Sequence, residues 1–158
     1  MITRLSVDAR KMVLTSAAEE ARRRGDRRLG TDHLLLGLLH DPDSPVAKAL
    51  GTDLESAREA CDALDRAALA AIGVDVAHLD DPPRPVFGRR LLPLTSGSRA
   101  VMKATVDGTR QAGNKRIETR QFLLALLDRE RPDPAAELLR ALGVDAADVR
   151  KRLGESKE

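Results

Sequence analysis

Leu29-Gly30-Thr31-Asp32-His33-Leu34-Leu35-Leu36-Gly37-Leu38-Leu39 decides the fold, because the chain nearly repeats it at Ile117-Glu118-Thr119-Arg120-Gln121-Phe122-Leu123-Leu124-Ala125-Leu126-Leu127, an offset of 88 residues. Each block places leucines at helical spacing behind a Thr, the pattern of a helix start followed by a buried face. A duplicated block in a chain of 158 residues predicts two similar helical units packed as one domain. The copies keep their leucines and differ at one polar position, Asp32 against Arg120.

Working outward, residues 6–24 read as a helix with Ser6 as N-cap, a small apolar stripe at Val13, Ala17 and Ala21, and Gly25 as its stop. Thr31 is the expected cap of the next helix, which Asp41-Pro42 ends. Pro45 opens a short third helix closed by Gly51, and Thr52 with Glu55 has capping-box spacing for a fourth running to about Ala71. The order then recurs. Thr95 or Ser96 opens a helix ended by Gly113, and Thr119 caps the second leucine-rich helix. Pro134 starts another helix ended by Gly143, and Asp145 with Asp148 starts the last, reaching Leu153. Eight helices result, with residues 154–158 expected to fray.

Between the units, Asp80-Asp81-Pro82-Pro83-Arg84-Pro85-Val86-Phe87-Gly88-Arg89-Arg90 forbids a continuous helix and predicts an extended strap pinned by Phe87. The expected organisation is one domain over residues 1–158, with repeat one at 5–72, the linker at 73–93 and repeat two at 94–153. Hydrophobic residues make up 42% and charged residues 33%, the balance of a globular protein whose core is aliphatic. No apolar run approaches the ~18 residues of a spanning helix. Met1-Ile2-Thr3-Arg4 does not lead into a secretory h-region, so no membrane partner and a cytoplasmic location are expected. Cys61 is the only cysteine, which excludes an intrachain disulfide and a thiolate metal cluster.

The motif Gly-Thr-acid-His-Leu-Leu-Leu after a small-residue helix resembles the Clp repeat (Clp-N) family, the N-terminal domain of ClpA- and ClpC-type Clp ATPases. In that family each repeat carries an aromatic-Thr start, an Ala-rich helix and then Ile-Gly-Thr-Glu-His-Ile-Leu-Leu-Gly-Leu. Leu29 to Leu39 match this nearly residue by residue, Ile117 to Leu127 more loosely, and the resemblance spans about residues 5–153. It implies an all-α, pseudo-twofold domain of two four-helix repeats. In full-length unfoldases this domain docks adaptor proteins and receives substrates, so Clp unfoldase or protease components, adaptors and substrate peptides are the implied partners.

The chain has no G-x-x-x-x-G-K-[ST], hence no phosphate-cradling loop and no ATPase site. It reads as an excised recognition domain or, from its numbering and start, as a free-standing Clp-N-like protein. No Gly-x-Ser-x-Gly elbow occurs, and Asp32 and His33, as helix neighbours, point about 100° apart. No enzymatic chemistry and no cofactor are expected. His33 and His40 share a helix face, but no third ligand accompanies them, so no metal is expected either.

The resemblance implies two kinds of site. Some ClpC-type domains dock phosphorylated arginine, the motif acid meeting the guanidinium and the start of the first helix receiving the phosphate. Carried over, Ser6, Val7 and Asp32 form the first site, with Thr95 and Ser96 as a second anion-accepting helix start. Asp32 is one methylene shorter than the family's Glu, and Arg120 reverses the charge in repeat two, so a symmetric receptor is not expected. The second kind is an apolar groove that receives adaptors or cyclic-peptide antibiotics, lined here by Ile2, Leu5 and Leu94 with Arg99 at its edge. Family members usually carry Phe near Leu5 and Leu94, which reduces the area available to a hot spot.

The expected function is thus a non-enzymatic peptide- or protein-binding module of a Clp protease system: adaptor-docking, substrate-recognition or sequestering. The alternative is a regulatory nucleic-acid-binding protein on the same scaffold, motivated by a pI near 9.0 and the run Arg22-Arg23-Arg24 with Arg27, Arg28, Arg89 and Arg90. The net charge of only +2 and two aromatic residues, Phe87 and Phe122, weigh against nucleic acid.

Overall fold

The computed structural model describes residues 4–74 and 92–155; Ile2, the strap residues 80–90 with Phe87, Arg89 and Arg90, and residues 156–158 lie outside them. The described residues form eight helices. Helix α1 (residues 7–24) starts where the Ser6 hydroxyl accepts from the Ala9 amide at 3.1 Å, and ends at Gly25, whose φ of 74° suits a residue without a side chain. Helix α2 (Thr31–Leu38) is capped by Gly30 and not by Thr31. The Thr31 hydroxyl is used at long range: it donates to Asp133 at 2.7 Å and accepts from the Ala135 amide at 3.1 Å. His33 takes over the local task, its Nδ1 accepting the Gly30 amide at 2.8 Å.

Helix α3 (Pro45–Leu50) is capped by Ser44. Helix α4 (Leu54–Ala71) is capped by Asp53 rather than by the expected Thr52, the carboxylate accepting from the Ser56 amide at 2.7 Å. That bond holds the Asp53 carboxyl below its ordinary range, as expected of a charge-assisted cap. Helix α5 (Ser96–Gln111) starts at Thr95. Helix α6 (Thr119–Leu127) starts one residue before the expected Thr119, at Glu118. Helix α7 (Pro134–Ala141) is capped by Asp133, and α8 (Ala146–Glu155) continues through Gly154 and Glu155, where fraying was expected.

The two halves exchange partners. Leu5, before α1, pairs in parallel with Ile117, before α6; Leu29, before α2, pairs with Leu94, before α5. Ser6 N–H donates to Ile117 O at 2.9 Å and Ile117 N–H to Arg4 O at 2.8 Å. Leu29 N–H donates to Pro93 O at 2.8 Å and Thr95 N–H to Leu29 O at 3.0 Å. The helices follow the same rule, α3 packing on α8 and α7 on α4, while α2 and α6 meet near the centre. This matched exchange is the pseudo-twofold. Leu34, Leu35, Leu36, Phe122, Leu123 and Leu126 from the central pair are wholly buried, in one apolar cluster that includes residues of both halves. At roughly 1.5–3 kcal/mol for each fully buried large side chain, they are the main source of cohesion.

One element breaks the symmetry. Ser6 and Thr95 are 89 residues apart, whereas Gly25 and Gly113 are 88 apart, so α1 contains one residue more than α5. The excess is absorbed where α1 widens to a π-helix over Met12–Ala17, between α-helical turns at Val7–Lys11 and Ala18–Arg24. A π turn takes up one residue without rotating the helix on either side. Ala17 then meets α2 closely: a Cβ on Gly37 would lie 3.0 Å from the Ala17 amide nitrogen, so the contact requires the glycine.

Candidate functional site

The apolar residues of α1 and α5 that face each other do not close on one another. Between them lies a groove of about 480 Å³, floored by Leu5, Leu29 and Leu94 and walled by Val13, Leu14 and Ala18 on one side and Met102 and Val106 on the other. Its size lies within the ~300–1,000 Å³ typical of ligand sites. Of the expected lining, Leu5, Leu94 and Arg99 are in place; Ile2 lies outside the described residues. The π turn contributes Val13 and Leu14, so the added residue shapes the groove wall. Among the described residues, the charged members of the lining, Arg22, Arg99 and Lys103, are all basic.

The anion candidates are arranged crosswise. Ser6 and Val7 stand beside the start of α6, where Arg120 lies, through the Leu5–Ile117 pairing. Thr95 and Ser96 stand beside the start of α2, through Leu29–Leu94. A Cβ on Gly97 would lie 3.3 Å from the Thr31 methyl, so the first turn of α5 abuts that of α2, which carries Asp32. Both hydroxyls serve their own helices: Ser6 accepts from Ala9, and Thr95 accepts from the Ser98 amide at 3.2 Å.

Asp32 already holds a guanidinium. Arg24 donates from Nη1 to Asp32 at 2.7 Å and from Nη2 to Asp65 of α4 at 2.5 Å, tying α1, α2 and α4 together. Burial alone would ease proton loss from Arg24, but Asp32 and Asp65 outweigh it and raise its pKa above the ordinary value. In repeat two, Arg120 donates to the Leu153 carbonyl at 2.6 Å, in the last turn of α8. The diverged pair thus does comparable structural work: Arg120 ties its leucine-rich helix to α8 directly, and Asp32 ties its own to α4 through Arg24.

The histidines are occupied separately. With Nδ1 accepting from Gly30, His33 presents Nε2–H to Asp26 at 2.7 Å; His40 meets the buried Glu20 at 2.8 Å. No cluster of three metal-ligating side chains occurs among the described residues. Cys61 is buried, and desolvation pushes its thiol up to about 12, far from a reactive thiolate.

Sequence reasoning missed both walls: Val13, Leu14 and Ala18 of α1, and Met102, Lys103 and Val106 of α5. The signal was there, since Arg99, Met102, Lys103 and Val106 recur at the three- and four-residue spacing of one helix face. What periodicity does not say is that this face meets α1 across a gap.

Comparison with known proteins gives a consistent set of likenesses. The sequence model of the Clp repeat (R) N-terminal domain matches residues 6–134. The ATP-dependent Clp protease ATP-binding subunit ClpA homolog CD4B, chloroplastic, of Solanum lycopersicum is 29% identical over 165 residues, covering 100% of this chain and 16% of that protein. Chaperone protein ClpD2, chloroplastic, of Oryza sativa subsp. japonica is 34% identical over 134 residues, covering 84% of this chain and 13% of that protein. The chain therefore spans about a sixth of the relatives it matches, or less. The crystal structure of the N-terminal domain of the caseinolytic protease associated chaperone ClpD from Arabidopsis thaliana superposes with a TM-score of 0.72 at 19% identity, covering 99% of this chain and 96% of that one. No helix of the described residues is long and apolar enough to cross a membrane.

Proposed function

From membership of the Clp repeat (R) N-terminal domain family, to which this chain belongs, we propose that it is a non-enzymatic recognition module of a Clp proteolytic system. Domains of this family are protein-interaction modules of Clp ATPases. Here the module docks an adaptor, a substrate segment or a Clp subunit in the groove between α1 and α5, and residues 1–158 act as one domain built from repeats at 5–72 and 94–153. The observation that carries this reading is the groove itself, an apolar cleft left open between α1 and α5, which pack on α2 and α6 and not on each other.

Phosphoarginine is a weaker reading for this chain, because a guest guanidinium would have to displace Arg24 from Asp32. Co-precipitation with purified Clp unfoldase subunits and adaptors tests the proposal, comparing wild type with Leu14→Asp, which places a charge in the groove wall. Retention by wild type and loss in a folded variant support it. Failure to retain any Clp component, adaptor or unfolded substrate at several salt concentrations overturns it.

A further inference from the structure

We infer that the groove's partner is an acidic apolar peptide segment: one or two large hydrophobic side chains flanked by Asp or Glu. This rests on the groove being the docking surface and adds the chemistry of what enters it. Arg99 and Lys103 stand one turn apart on the same face of α5, and Arg22 faces them from the last turn of α1. All three line the cleft, and among the described residues no acid does. Neither Arg99 nor Lys103 has an ion-pair partner among the described residues, in contrast to Arg24, Arg58, Arg129, Arg131 and Arg150. The acids on the two walls, Asp8, Glu19 and Glu20 of α1 and Asp107 of α5, lie outside the lining, and Glu20 is committed to Arg58 and His40.

An apolar floor beneath a rim of one sign selects in two steps. The floor, formed by Leu5, Leu29 and Leu94, gains by covering hydrophobic side chains whatever charge surrounds them. The rim discriminates among segments of equal hydrophobicity, since like charges beside Arg99 and Lys103 are disfavoured and opposite charges steer the encounter. A basic flank would meet Arg99 and Lys103. The asymmetry of the fold sharpens this. Lys103 of α5 follows Thr95 at the same distance in sequence as Leu14 follows Ser6 in α1, so an apolar position of the α1 wall is a cation on the α5 wall.

The test uses the full chain and three labelled peptides with identical Leu and Phe residues, flanked by Glu, by Gln or by Lys, followed by fluorescence anisotropy. Expected is an order Glu, Gln, Lys, with the acidic peptide at least about fivefold tighter than the neutral one at ~20 mM salt and the gap closing by ~0.5 M. Arg99→Gln with Lys103→Gln, at exposed positions, should erase the preference while leaving neutral-peptide affinity within about twofold. Equal affinity for the acidic and neutral peptides overturns the charge selection and leaves the groove as a docking site. Binding that persists in a folded Leu14→Asp variant, or absence of binding by all three peptides, overturns the docking site as well.

Discussion

Replacing Glu20 tests how this small aliphatic core tolerates a carboxylate. Glu20 is fully buried. Arg58 donates from Nη2 to Oε1 at 2.5 Å and from Nε to both oxygens at 3.2 Å, and His40 Nε2 lies 2.8 Å from Oε1. Removing one partner of a buried pair costs ~3–5 kcal/mol. Here the abandoned partners are 22% and 20% exposed and can turn to water, which puts Glu20→Ala at the lower end, about 3 kcal/mol. For a domain of this size that is a fall in Tm of roughly 6–12 °C. Burial pushes the Glu20 carboxyl up, but the bonds from Arg58 and His40 outweigh it and hold the pKa below its usual 4.5. Its contribution is therefore complete above the unfolded-state value and is lost as pH falls through the lower folded-state value. Urea unfolding followed by circular dichroism, from pH 7 down to about 3.5, should show a gap between wild type and Glu20→Ala that narrows with acid. A variant within ~0.5 kcal/mol of wild type at pH 7, or a gap that widens on acidification, would refute the reasoning.

The π turn predicts that deleting Thr15, exposed on α1, returns the helix to regular α geometry at a cost within about 1 kcal/mol. Deleting the exposed Ala104 from the uninterrupted α5 rotates one end by ~100° and should abolish cooperative unfolding, as thermal melts of both deletions would reveal. Arg24→Ala leaves Asp32 and Asp65 facing a gap of guanidinium shape. Free phosphoarginine should bind that variant better than wild type in calorimetric titration, and equal heats would remove Asp32 from the binding candidates. Cys61, with its thiol near 12, should resist iodoacetamide at pH 8 in the native protein and react at the ordinary rate in urea; fast native labelling would contradict its burial.

Residues whose work is local were legible in the sequence. Ser6 and Thr95 cap the helices they precede, Pro45 opens the third helix, and Gly25 and Gly51 end theirs with positive φ. Thr31 was misread because its hydroxyl serves Asp133 and Ala135, more than a hundred residues away, and nothing near it in sequence announces that partner. Asp32 was read as a ligand for a guest guanidinium, and the guanidinium it meets is the chain's own. The groove was legible at Leu5, Leu94 and Arg99 through family resemblance. The rest of its two walls was not, since a helix face that lines a cleft has the same periodicity as one that packs. The one-residue difference between Ser6–Gly25 and Thr95–Gly113 was visible all along; its solution as a π turn depends on packing against Gly37, which only the fold supplies.

The crosswise pairing of Leu5 with Ile117 and of Leu29 with Leu94, with α3 on α8 and α7 on α4, bears on how such a chain arises. Neither half closes its own core, so a single-repeat ancestor could have been stable only as a pair of identical chains, each lending its third helix to the other's fourth. The isologous interface of that homodimer would be today's interior. Joining the copies in one chain removes that constraint. One extra residue in the first helix and a charge reversal between positions 32 and 120 are changes that a symmetric dimer would have had to accept twice, and a fused chain once.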